Sequence, residues 1–422
     1  MLPVDAFVFR SEAQMISIIK QQEKRESIMF NRSFSIWVAS LCAIWLMMIS
    51  ARTRVSMFRF PADPGYDLLH QAITTPGIQA FSTKDWPYFY VIPRTVIEVV
   101  VLFPLAMHAV ILTTLINLIW VACAAVIYLF THIKTNNKFL SAIAGTVLIL
   151  SPVAMESSLG SYGNVKWPLT VAAVCWFSSP NLFNKYFKTL LVFTFLVGMS
   201  TPMLVFCVAP IVISSSLNYV NKLKSLAVLL IVGLTTFFQL KIAGGLGAAS
   251  KGWGDNRVFN LNGLGKFWLF GQLWPVALSI GLLLVAVIMR KSKLDNYLEI
   301  IGLVVTSLEL SGASFYLGGI ADRYFVAPLA LSSIALIIFF SSFSSKSTFK
   351  LRQVKLISLV VVLFLPSLKW FDAGWYLATG PTWHDEVNRA EEECEITMSE
   401  LINLEISADG STELECALLK SN

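Results

Sequence analysis

Apolar positions along this chain fall in long unbroken runs, not in the alternation of strands or the narrow stripe of a surface helix. A run of about 20 apolar residues spans the hydrocarbon of a bilayer as a helix. Such runs predict membrane spans at Phe34–Ser50, Met107–Phe130, Phe139–Met155, Trp167–Ser178, Thr189–Met199 and Met203–Leu217. They continue at Ser225–Leu240, Phe267–Met289, Tyr297–Leu310, Tyr324–Ser342 and Leu356–Leu368, about eleven in all. The stretch from Arg94 to Phe130 is too long for one crossing, so it divides at Pro104 into an interfacial helix, Arg94–Phe103, and a span. Barrel strands would show a period of two, which these runs do not. The predicted fold class is therefore all-α, a polytopic transmembrane bundle.

Between the runs, Lys and Arg divide the loops into two sets. One set carries Lys20, Lys24, Arg25 and Arg32, then Lys134 and Lys138, Lys185 and Lys188, Lys222 and Lys224. It goes on with Arg290, Lys291 and Lys293, and ends with Lys346, Lys350, Arg352 and Lys355. By the positive-inside rule this set is cytoplasmic. The loops at 51–93, 156–166, 241–266 and 311–323 then face outward, together with the tail from about residue 369. Three regions result: a basic, partly amphipathic segment 1–33, a transmembrane domain 34–370 and an extracytoplasmic tail 371–422. No small-residue cleavage site follows a short apolar core near the start, so residues 1–33 read as a cytoplasmic surface segment.

Composition sharpens this picture. Of 422 residues, 56% are apolar and 14% charged, whereas a soluble domain is usually about 25% charged. The mean hydropathy is +0.68. The net charge of +6 is spread over short loops, so it is not a nucleic-acid footprint. Four cysteines (Cys42, Cys123, Cys175, Cys207) lie in apolar runs as small hydrophobes. Cys394 and Cys416 lie in the acidic tail. Outside the cytoplasm they can pair as a disulfide; two free thiols are the alternative.

The unusual polar groups gather in the outward loops. The first holds Arg59, Asp63, Asp67, His70, Lys84, Asp85 and Arg94, with Trp86, Tyr88, Phe89 and Tyr90 between. The second holds Glu156, Asn164, Lys166 and Trp167, the third Lys251, Asp255 and Arg257, and the fourth Asp322, Arg323 and Tyr324. Glu98 and Glu309 stand inside apolar runs. Ionisable groups at membrane depth are costly and usually face a bundle interior or a wet cavity. A carboxylate there can act as general base on a hydroxyl, and Arg or Lys can hold a phosphate. Plainer roles exist for each: Asp85 capping a turn, Arg94 and Arg323 snorkelling to headgroups, Glu156 and Lys166 as an ion pair, and the aromatics as an interface belt. His70, His108, His132 and His384 lack metal-ligand spacing, so no zinc site is expected. Gly244, Gly245 and Gly247 do not form a phosphate loop, since no Lys-Ser/Thr follows them.

Short motifs in fixed order carry a resemblance. Trp86-Pro-Tyr-Phe-Tyr-Val-Ile-Pro-Arg94, Ser151-Pro-Val-Ala-Met-Glu156 with Asn164-Val-Lys-Trp167, Ser200-Thr-Pro202, Arg323-Tyr-Phe-Val-Ala-Pro328 and Gly380-Pro-Thr-Trp383 lie in sequence over residues 86–416, together with Cys394 and Cys416. The set resembles a bacterial group of integral-membrane proteins similar to GT-C fold glycosyltransferases. The resemblance implies transfer of a sugar from a polyprenyl-phosphate donor to a cell-envelope glycan or lipid-linked acceptor, at the periplasmic face of the inner membrane. It implies a catalytic carboxylate in the first outward loop, with Asp63, Asp67 and Asp85 as candidates. Asp85 is preferred as base, and Glu156 is the second carboxylate. Arg94, Lys166 and Arg323 would hold the phosphate. Trp86, Tyr90 and Trp167 would contact sugar or prenyl chain, with Asn164 and Tyr324 beside them. Expected partners are the donor, the acceptor and membrane lipid, with no nucleic acid. No cofactor follows from the sequence, and a divalent metal is left open. The rival readings are a transporter or flippase of a lipid-linked saccharide and a non-catalytic envelope-assembly protein. A clear internal repeat, which transport folds often show, is not visible.

Overall fold

The computed structural model describes residues 65–75, 77, 89–150, 162–217, 219–242, 273–288, 297–314, 322–344, 381–397, 400–407 and 410–420. Of the residues it describes, 86% are helical. The first helices are α1 Gly65–Thr74, α2 Val91–Val100, α3 His108–Thr135 and α4 Lys138–Leu150, followed by α5 Lys166–Phe177, α6 Pro180–Lys185 and α7 Phe187–Gly198. Next come α8 Ala209–Ser216, α9 Lys222–Ile242, α10 Leu273–Ile288, α11 Tyr297–Ala313 and α12 Val326–Ser344. The tail contributes α13 Trp383–Thr397, strands β1 Leu401–Ser407 and β2 Gly410–Glu415, and α14 Cys416–Lys420.

Among the described residues, two segments are long and apolar enough to cross a membrane, Leu105–Thr135 and Lys222–Lys241. Five other apolar helical segments among the described residues are shorter. The predicted spans at Phe34–Ser50 and Leu356–Leu368 lie outside the described residues. The break at Pro104 falls where expected, between α2 and α3. The interfacial helix, however, starts three residues earlier than predicted, at Val91, because Pro93 fits a first helical turn, where its missing N–H has no partner to lose. The predicted span Met203–Leu217 is instead a 3-10 turn, Pro202–Cys207, followed by α8. Pro202 and Pro210 each open one of these pieces.

α3 is the spine. It packs against α4, α5 and α12, while α11 packs against α10, α12 and α8. α5 has almost no outward face: Trp167 through Cys175, and Phe177, are all buried. α7 and α9 pack in parallel and approach closely at Gly198, where an added Cβ would lie 2.3 Å from Thr235 Oγ1. Any side chain at 198 would force these two helices apart. Helix contacts elsewhere use hydroxyls instead of apolar surface. Ser279 Oγ donates to Ser307 Oγ at 3.0 Å, and Ser307 Oγ donates to the Pro328 carbonyl at 2.9 Å, joining α10, α11 and α12.

Lys134 and Lys224, two members of the basic loop set, mark one end of this bundle. Lys134, near the end of α3, pairs with Glu299 in the first turn of α11. Lys224, near the start of α9, donates to the Asn184 carbonyl at 3.3 Å and lies over the Phe187 ring. The other end carries the start of α2, the start of α5, the end of α7 and the end of α9.

The tail adds a two-stranded antiparallel sheet to the predicted all-α architecture. β1 pairs with β2 in the register Ile402↔Leu414 and Leu404↔Thr412. Ile402, Leu404 and Leu414 are buried while Leu401, Asn403 and Glu405 are exposed. Cys394 and Cys416 are joined by a disulfide, with Cα atoms 5.6 Å apart. Buried Glu386 accepts from Arg389 and from the Glu405 backbone N–H at 2.7 Å, tying α13 to β1. That hydrogen bond raises the pKa of the Arg389 guanidinium above its ordinary value. The tail meets the bundle through Trp383, whose buried indole N–H donates to the Leu105 carbonyl at 2.7 Å.

Candidate functional site

The site begins with the backbone of Tyr90. Its φ of 47° and ψ of 45° are left-handed, a conformation that costs a bulky L-residue about 1–2 kcal/mol. Such a turn persists only when its surroundings over-determine it. Here the flanking N–H groups are each taken. Phe89 N–H donates to Gln239 Oε1 at 2.8 Å, Val91 N–H to the Met199 carbonyl at 3.3 Å, and Ile92 N–H to Ser200 Oγ at 2.9 Å. The last two satisfy N–H groups that a helix start leaves without intrahelical partners. The ends of α7 and α9 therefore hold the start of α2.

The turn points the Tyr90 ring toward α5. Lys166 Nζ lies 5.9 Å from the Tyr90 ring centroid and 5.2 Å from that of Trp167. Both distances are within the range of cation–π attraction. The Trp167 ring is itself held on two sides. Its indole N–H donates to Asn164 Oδ1 at 3.2 Å, and the Tyr324 ring meets it edge-on, centroids 5.7 Å apart. Asn164, Trp167 and Tyr324 are buried. Arg94 follows one turn after Tyr90, its N–H bonded to the Tyr90 carbonyl at 2.8 Å, and it is only 4% exposed. A guanidinium so buried contributes positive charge at low effective dielectric, where electrostatic forces are strong.

Thus Tyr90, Asn164, Lys166, Trp167 and Tyr324, drawn from three distant parts of the sequence, meet at one end of the bundle, with Arg94 one turn along α2 from Tyr90. Arg323 precedes Tyr324 in the 3-10 turn Asp322–Phe325, and Asp67 belongs to α1, which packs against α2. Asp63, Asp85, Trp86 and Glu156 lie outside the described residues. Cys394 and Cys416 belong to the tail and take no part in this cluster.

Residues that the sequence reading did not assign to the site complete it. Gln239 bridges Phe89 and α7, its Nε2 donating to the Gly198 carbonyl at 3.2 Å. Ser200 caps α2. The signal for Gln239 was its isolation, a lone amide near the end of an apolar run; the signal for Ser200 was its place in the Ser200-Thr-Pro202 step. Glu98, two turns into α2, accepts the N–H of left-handed Gly77 through Oε2 at 2.9 Å. Among the described residues no group of three or more His, Cys, Asp or Glu is arranged to hold a metal ion.

Chemically, the cluster offers an ammonium over two aromatic faces, with a buried guanidinium one helical turn along α2, at one end of a helical bundle. That suits an anionic headgroup joined to an apolar chain or a sugar ring. No family model matches the chain, and no curated protein matches it.

Proposed function

We propose that this protein is a GT-C-like, inverting membrane glycosyltransferase of a bacterial inner membrane. It moves a sugar from a polyprenyl-phosphate donor to a cell-envelope glycan or lipid-linked acceptor on the periplasmic side. The observation that carries this reading is the placement of Lys166 over Tyr90 and Trp167, beside buried Arg94, at the end of the bundle away from Lys134 and Lys224. The basic residues of the opposite end support its assignment to the cytoplasm.

In the reaction an acceptor hydroxyl attacks the anomeric carbon from the face opposite the donor phosphate. The new C–O bond forms as the bond from anomeric carbon to phosphate oxygen breaks, and that oxygen keeps the electron pair. The hydroxyl proton passes to a carboxylate, Asp85 first and Glu156, Asp63 or Asp67 otherwise. Negative charge grows on the departing phosphate, where Arg94, Lys166 and Arg323 stabilise it. Tyr90 and Trp86 stack on the sugar or the first isoprene units, while Trp167, expected from the sequence to do the same, is fully buried and, fixed by Asn164 and Tyr324, backs Lys166 instead.

The test is release of undecaprenyl phosphate from a panel of undecaprenyl-phosphate hexoses by the full-length protein in proteoliposomes containing cell-envelope glycan. Release is expected with at least one donor, falling at least a hundredfold in Asp85→Asn. Full turnover in Asp85→Asn, Glu156→Gln, Asp63→Asn and Asp67→Asn alike would remove the carboxylate assignment. Lack of release with every donor would remove the transferase reading.

One observation favours a second reading, transport or flipping of a lipid-linked saccharide. Asn117, well inside α3 and 2% exposed, has neither amide atom hydrogen-bonded. A buried polar group left unpaired is costly, and transport sites use polar groups at mid-membrane. In a flipping assay with the same liposomes, Asn117→Leu would abolish movement under that reading and leave sugar transfer intact under the first.

A further inference from the structure

We infer that Gln239 is a positioning residue for the lipid-phosphate site: its amide, buried in α9 between Phe89 and Gly198, sets the Tyr90 ring against Lys166. This rests on the function proposed above and adds to it a residue outside the motifs that suggested it.

Gln239 is 0% exposed. Both halves of its amide are used, Oε1 accepting from Phe89 N–H and Nε2 donating to the Gly198 carbonyl. The opposite orientation of the amide would set N–H against N–H and oxygen against oxygen, so the orientation is unique. Its reach depends on Gly198. Thr235, one turn before Gln239 on α9, occupies the space a Cβ at 198 would need. That contact draws α9 against α7 and brings the amide to both partners. The bond to Phe89 is made immediately before the left-handed Tyr90, and the bonds from Val91 and Ile92 to Met199 and Ser200 are made immediately after it. The backbone on both sides of Tyr90 is thereby held from the α7–α9 pair. With φ and ψ set, the Cα–Cβ direction of Tyr90 is fixed, and from it the ring reaches a position 5.9 Å from Lys166 Nζ. A buried side chain in the last turn of α9 thus shapes a headgroup site that it does not touch.

A double-mutant cycle tests this, because residues acting through one another give non-additive effects. The full-length protein in nanodiscs is titrated with undecaprenyl phosphate and binding is read by native mass spectrometry, with a thermal melt for each variant. Gln239→Met keeps length and burial and removes both hydrogen bonds. Tyr90→Gly removes the ring and keeps the left-handed turn accessible. Each is expected to weaken binding about tenfold, and the double variant about tenfold as well, since both remove the same ring placement. A double variant weakened about a hundredfold, or a Gln239→Met protein that binds as wild type, overturns the inference. Gln239→Glu, which keeps the acceptor for Phe89 and loses the donor to Gly198, should bind with intermediate affinity. It decides the matter if the Met variant does not fold, and wild-type affinity in it is equally fatal. Absence of binding by the wild-type protein is a different failure: it removes the lipid-phosphate reading, and the inference with it.

Discussion

Lys134 and Lys166 stand at opposite ends of the same bundle and are treated differently. Lys134 meets a carboxylate, Glu299, and the pair joins α3 to α11 with both side chains largely covered. Lys166 is set against the rings of Tyr90 and Trp167, which attract a cation through their π faces without supplying a counter-charge. The first arrangement is a weld between two helices. The second fixes an ammonium in space beside another buried cation-bearing element, the start of α2. The difference is between a lysine that joins two helices through a carboxylate and one set against aromatic faces, which the proposed reaction uses to meet the donor phosphate.

The largest break to this comparison comes from Trp167. Trp167→Ala empties the most enclosed part of α5 and should cost about 3–5 kcal/mol of stability, read as a lower unfolding midpoint in detergent. Trp167→Phe, which loses the bond to Asn164, should cost about 1 kcal/mol. Next is the contrast between the lysines themselves. Lys166→Met should weaken undecaprenyl-phosphate binding about a hundredfold, close to 2.7 kcal/mol. Lys134→Met should leave binding within about twofold and instead lower stability by about 2 kcal/mol, the usual worth of a charged hydrogen bond. Equal loss of binding in both variants would erase the distinction. The smallest effect belongs to the Lys134–Glu299 coupling, about 1 kcal/mol in a double-mutant cycle of thermal stability.

The fold was legible where apolar length and proline speak together. The break at Pro104 and the run Ser225–Leu240 correspond closely to the α2–α3 junction and to α9, because backbone bonding in helices and the prohibition at proline are local rules. The tail hairpin departs from the all-α expectation: Ile402 and Leu404 alternate with Asn403 and Glu405, but so short a run in acidic sequence is a weak period-two signal. The site was only half legible. Tyr90, Lys166, Trp167 and Tyr324 announced themselves as aromatic and basic residues in polar loops. Gln239 and Ser200 did not, since their work is to accept backbone N–H groups from a segment some 108–150 positions away. Nothing local in a sequence records such a bond. The left-handed turn at Tyr90 was invisible for the same reason: tyrosine has no preference for it, and tertiary hydrogen bonds impose it.

The bond from Trp383 to the Leu105 carbonyl closes a loop of 278 residues. During synthesis the 3-10 turn Leu105–Met107 that leads into α3 emerges long before its indole partner exists, so the helical bundle first forms with that carbonyl served by another donor. Only when the tail has folded far enough to present the Trp383 indole can the two groups meet. The contact is therefore a late checkpoint in folding: a chain whose tail fails to fold keeps an unfinished helix entrance at Leu105, a local defect open to proteolysis.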